Sequence, residues 1–84
     1  MEVIVFGMEN CAGCTTVKNV LKLKRVEFVE RDVMNTDHME DASNYGVRSV
    51  PTTVLKHKDG GETVVVGSSR ESLIKIENII LAGA

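Results

Sequence analysis

Val3-Ile4-Val5-Phe6 is an unbroken β-branched and aromatic run within Met1–Gly7, the pattern of a strand buried on both faces. From Cys11 to about Lys24 the period changes, with Val17, Val20, Leu21 and Lys24 at helical spacing. Gly13 in the first turn lowers helix propensity but leaves room for a neighbour to approach closely. Val26–Val33 alternates apolar and charged residues and predicts a second strand. Strand, helix and strand in that order imply a right-handed crossover and a parallel pair. Asn35 to Tyr45 predicts a weaker helix, with Thr36 as cap, Met39 and Ala42 inward and Gly46 as the stop. Thr52–Lys58 and Glu62–Gly67 flank Asp59-Gly60-Gly61, a strong hairpin signal. Ser68 and Glu71 have capping-box spacing, and Leu73, Ile76 and Ile80 give the terminal helix one apolar face. The order is βαβαββα, an α/β chain without linker, repeat or low-complexity stretch.

Composition narrows the function classes. At 84 residues the expectation is a single domain spanning residues 1–84. Aromatics are only 4% and Trp is absent, so the core must be built mainly from Val, Ile and Leu. A net charge of −2 is too weak to suggest a nucleic-acid or membrane surface. Apolar runs such as Val64–Val66 fall far short of a membrane span. Glu2 and the lack of a basic segment before an apolar one argue against a secretory signal. A cytoplasmic monomer is the expectation.

The chemistry lies in the two cysteines, Cys11 and Cys14, separated by Ala12 and Gly13. A bridge between them closes too short a loop to staple a fold. They are therefore metal ligands, a redox couple or an accident of composition. Their place is informative, because they stand where the first strand turns into the first helix. Free N–H groups and the positive end of the helix dipole converge there and favour a thiolate. Cys11, at the helix start, can face solvent, whereas Cys14 is three residues on and turned inward. One thiolate can attack a substrate disulfide and the other can resolve the mixed disulfide.

The C-x-x-C on a βαβ unit, followed by Tyr45-Gly46-Val47-Arg48-Ser49-Val50-Pro51-Thr52, resembles the thioredoxin/glutaredoxin family. Val66-Gly67 and the helix after it match the family's C-terminal pattern, so the resemblance covers essentially the whole chain. It implies a minimal thioredoxin fold, a four-stranded mixed sheet with three helices. It also implies a redox-active Cys11–Cys14 disulfide, with both cysteines catalytic and no bound metal or other cofactor. Pro51 would be a cis-proline facing the cysteines, and Val50, Pro51 and Gly67 would hold an extended substrate segment. The implied activity is reduction of protein disulfides, with enzymes such as ribonucleotide reductase as electron acceptors. Thioredoxin reductase is the expected reductant, and glutathione the second choice.

Departures from the family pattern matter too. Thioredoxins carry Trp before the first cysteine, where this chain has Asn10, and an acid in the first core strand, where it has Val5. Glutaredoxins often place Lys where this chain has Met8, followed by Glu9, and Pro where it has Ala12. Glu9 would repel the carboxylates of glutathione. The helix start at Ser68-Ser69-Arg70 offers one compensating anion contact. His38 and His57 lack zinc-ligand spacing and read as solvated surface residues, as do Lys56 and Lys58. Arg48 and Met8 suit either partner contact or loop packing.

One alternative comes from a different class. Gly7-Met8-Glu9-Asn10-Cys11-Ala12-Gly13-Cys14 also resembles the Cu(I)-binding loop of heavy-metal-associated chaperone domains, with one extra residue before Cys11. Such domains run βαββαβ and end in a strand. The elements after the second helix discriminate between the two readings.

Overall fold

Val3, Ile4, Val5 and Phe6 are all buried, which places β1 (Glu2–Gly7) in the interior of the sheet with a core on each side. The computed structural model describes residues 1–83. After β1 come α1 (Ala12–Leu23), β2 (Val29–Asp32), and a 3-10 turn (Thr36–His38) that runs into α2 (Met39–Asn44). Then follow β3 (Thr52–Lys56), β4 (Glu62–Val66) and α3 (Arg70–Gly83). The four-stranded sheet has the order β2-β1-β3-β4. β1 is parallel to β2 and antiparallel to β3, and β3 is antiparallel to β4.

Alternate residues of β1 serve different cores, because successive side chains leave opposite faces of a strand. Val3 and Val5 join Val17 and Leu21 of α1, Leu55, Val65 and Ile76 of α3. Ile4 and Phe6 join Ala42 of α2 and Val54, with Val33, Tyr45 and Val47 packed around them. The unbroken apolar run thus reflects two covered faces, as expected. Leu73, Ile79 and Ile80 turn the inner face of α3 onto the first core.

The minimal thioredoxin fold is present; β3 and β4 stop at Lys56 and Val66, short of the expected Lys58 and Gly67, and further differences lie in β2, at two helix caps and at Met39. β2 spans four residues rather than Val26–Val33. Val26 and Phe28 pack on the first core from outside the sheet, and only Val29–Asp32 lie beside β1. Asn35, not Thr36, caps the 3-10 turn, its Oδ1 accepting the Asp37 N–H at 2.9 Å. Met39, the first residue of α2, is 53% exposed, so of the two residues expected inward only Ala42 is buried. At the start of α3 the cap is Ser69, whose Oγ accepts the Ser72 N–H at 3.2 Å, and not the Ser68–Glu71 pair. Gly46 does end α2: at φ +68 its N–H reaches the Ser43 carbonyl, and the Val47 N–H reaches that of Ala42.

Two strands and a third helix follow α2 in the described residues. That order overturns the heavy-metal-associated reading, whose βαββαβ pattern puts two strands between its first and second helices, where this fold has β2 alone. Among the described residues, no group of three or more His, Cys, Asp or Glu side chains is placed to hold a metal ion.

Lys56 is the partly exposed end of β3, as expected, but it is paired rather than free. Register sets it opposite Glu2, and its Nζ lies 3.0 Å from Glu2 Oε1 and 5.9 Å from the Tyr45 ring centroid. Glu2 first, and the Tyr45 hydroxyl second, raise the Lys56 pKa above its ordinary 10.5. The folded chain therefore holds this proton to higher pH than the unfolded chain does. The pair's contribution to stability is complete below 10.5 and is lost as pH rises through the raised value. Glu2→Gln is expected to flatten that alkaline loss in a profile of thermal midpoint against pH. Identical alkaline limbs for both proteins would remove the pair from the account.

Candidate active site

The loop from β1 into α1 brings the two cysteines together. Asn10 takes a left-handed φ of +58, a conformation Asn tolerates better than most residues and a bulky ring does not. Cys11 then stands at the N-cap of α1 with extended φ −111 and ψ 101. Its Sγ accepts the Cys14 N–H at 3.1 Å, so a sulfur fills the place a Ser or Asp oxygen usually takes at a helix start. A disulfide joins Cys11 and Cys14, whose Cα atoms are 5.2 Å apart. Cys11 is half-buried and Cys14 only 3% exposed, the asymmetry expected from the sequence.

Glycines make this packing possible. A Cβ on Gly7 would stand 3.0 Å from Cys14 Sγ, so the buried sulfur rests on strand β1 where a side chain would be. A Cβ on Gly13 would stand 2.5 Å from Ser68 Oγ and 3.2 Å from Pro51 Cδ. Gly13 is therefore the contact point between the cysteine turn, the loop before β3 and the turn after β4. Gly7 and Ser68 carry no sequence signal of this role beyond their nearness to motif residues.

The Val50–Pro51 bond is cis, as the resemblance implied, and Pro51 is buried. The loop is held on both sides: Thr52 Oγ1 donates to the Ser49 carbonyl at 2.8 Å, and the Gly67 N–H donates to the Pro51 carbonyl at 2.8 Å. Gly67 has φ +89, which an L side chain rarely adopts. Pro51, Gly67 and the cysteine pair thus form one connected surface. Val50 is half-buried beside it and lines, with Met8, Val47 and Arg48, a groove of about 460 Å³.

The first core strand bears buried Val5 at the position where an acid was the family expectation. On that side of the disulfide a cavity of about 350 Å³ reaches Cys14, and charged residues of α1 and β2 line it. Neither histidine is simply solvated. His38 Nδ1 accepts from Arg31 Nη1 at 3.3 Å, and His57 Nε2 pairs with Thr63 Oγ1 at 2.8 Å in the distant β3–β4 hairpin.

The family model for glutaredoxin matches residues 3–59, from β1 through the cysteine pair and Pro51 to the hairpin. The chain belongs to the glutaredoxin family. Among curated proteins, this glutaredoxin-family chain is 36% identical over 62 residues to the SPbeta prophage-derived thioredoxin-like protein YosR of Bacillus subtilis, covering 74% of this chain and 75% of that protein. Among solved structures it is similar to the thioredoxin-like protein BC3987, with 30% identity and a TM-score of 0.68 over 88% of this chain and 97% of that one. The glutaredoxin-like NrdH-redoxin of Escherichia coli shares the fold at 16% identity, with a TM-score of 0.68 over 90% and 95% of the two chains. Family, fold and the C-x-x-C disulfide together make this a thioredoxin-like redox protein.

Proposed function

We propose that the protein is a dithiol carrier that reduces protein disulfides, with Cys11 as nucleophile and Cys14 as resolving thiol. The observation that carries this reading is the N-cap geometry: the Cys14 N–H points at Cys11 Sγ from 3.1 Å at the positive end of α1. On reduction the same N–H and dipole stabilise a thiolate on Cys11, the more accessible of the two sulfurs. Val50 offers backbone groups to an extended substrate strand, and Pro51 and Gly67 form the surface against which it lies. Disulfide-forming enzymes of the ribonucleotide reductase class are the proposed electron acceptors, in the cytoplasm.

Thioredoxin reductase is the proposed electron source. Glutathione carries two carboxylates, and Glu9 beside the cysteine turn repels them. At the start of α3, Ser69 Oγ already occupies the Ser72 N–H, which weakens the remaining anion contact. The solved NrdH-redoxin is a glutaredoxin-like protein described by a thioredoxin-like activity profile, and the same combination is proposed here. The test compares re-reduction of the oxidised protein by several thioredoxin reductases, each with its nicotinamide donor, against millimolar glutathione. At least one reductase should turn it over faster than glutathione does. Efficient glutathione turnover that Arg70→Glu abolishes would make the protein a functional glutaredoxin instead.

A further inference from the structure

The cavity of about 350 Å³ beside Cys14 is wide enough to admit water and so gives a buried thiol a route to solvent. Its charged lining comes from every neighbouring element: Glu9 from the cysteine loop, Lys18 from α1, Glu30, Arg31 and Asp32 from β2, and His38 from the 3-10 turn. Three of these groups, Arg31, Asp32 and His38, also hold other partners, while the buried Nε of Arg31 has none among the described residues. Register pairs Arg31 with Phe6, so its side chain leaves on the α2 face, where it donates to His38. Asp32 turns one oxygen to the Met34 N–H at 2.8 Å. Lys18 lies on Cys14's own helix, four residues on, where side chains of one face are neighbours. Its side chain is only 27% exposed, and Glu30 Oε2 tethers its Nζ at 3.4 Å on the same face of the sheet as Val5.

We propose that the Lys18 ammonium stabilises the Cys14 thiolate during resolution, through the cavity that the two residues share. Lys18 is thus a positioning charge for the second half of the exchange, and the proposal rests on the dithiol reading above. In that step Cys14 gives its proton to cavity solvent and its sulfur attacks the sulfur of Cys11. The Cys11–Cys14 bond forms as the bond from Cys11 to the substrate sulfur breaks, and the departing thiolate takes up a proton. The dithiol is oxidised and the substrate disulfide reduced. With Val5 in place of an acid in the first core strand, ionisation of the buried thiol depends on the cavity charges, and a cation nearby favours the charged form.

Dipyridyl disulfide separates the two steps, because it is uncharged and each step releases one absorbing pyridinethione. Reduced wild-type protein should give a fast release from Cys11 and a second release from Cys14. Lys18→Met, which keeps the aliphatic stem, should leave the first phase unchanged. It should slow the second about fivefold at neutral pH and move that phase's pH midpoint upward, since one pKa unit is a tenfold change in thiolate fraction. Lys18→Arg should restore both quantities. Glu30→Gln, which removes the opposing charge, should move the midpoint downward. An unchanged second phase in Lys18→Met, or a second phase slowed by Glu30→Gln, would overturn the proposal. The underlying reading fails differently: the first phase would be missing, or the second would persist in Cys14→Ser.

Discussion

Cys11→Ser is expected to reduce protein-disulfide reduction to the uncatalysed rate, whereas Cys14→Ser is expected to accumulate a mixed disulfide with substrate through Cys11. The asymmetry follows from the N-cap. Cys11 Sγ receives the Cys14 N–H and is the sulfur a substrate can reach; Cys14, 3% exposed, rests on Gly7 beneath it. Attack by Cys11 is therefore expected to come first. Without Cys14 the covalent intermediate has no internal nucleophile to break it. Intact-protein mass spectrometry after incubation with a disulfide substrate reads this directly, as adducts on Cys14→Ser and none on Cys11→Ser. Adducts on Cys14 in the Cys11→Ser variant, forming as fast as those on Cys11 in Cys14→Ser, would exchange the two roles.

The largest expected loss of stability is at Phe6. This side chain is fully buried in the second core, with its ring centroid 5.9 Å from that of Tyr45. That face of β1 is covered by one short helix, which supplies only Ala42 to the buried cluster. Little other apolar volume is available to refill the site. Phe6→Ala should therefore cost about 3–5 kcal/mol by lost burial and the cavity left behind. A chain of 84 residues is expected to have a total of roughly 4–12 kcal/mol, so the variant should lose a quarter or more of its stability. Urea titration followed by circular dichroism measures the difference. A loss below about 1.5 kcal/mol would mean that the core repacks around the gap.

Phe6 also illustrates what was legible in the sequence. Four adjacent apolar residues can be buried together in a strand only if both faces are covered, so an interior β1 followed from Val3–Phe6 alone. The cysteine turn, the Asp59-Gly60-Gly61 hairpin and the final helix were equally clear, because each carries a local chemical signature. β2 was not, since Val26 and Phe28 need burial but not a strand partner, and alternation looks the same in either case. The caps shifted for a related reason. Asn35-Thr36 and Ser68-Ser69 each offer two neighbouring capping residues, and the course of the chain into the helix decides between them. Contacts made across the fold left no trace at all. Glu2 meets Lys56 only through the antiparallel register of β1 and β3, and Gly13 meets Ser68 only when α1, β3 and β4 are in place. The Lys18–Cys14 cavity belongs to the same class, because it needs β2 beside α1.

The central claim is that the Cys11–Cys14 pair carries electrons into protein disulfides. Its most direct test is the reduction of insulin by dithiothreitol, followed by the turbidity of the released chains. Catalytic amounts of the wild-type protein should shorten the lag and steepen the rise, and the variant with both cysteines replaced by serine should match the blank. Equal curves for wild type, double variant and blank would contradict the account.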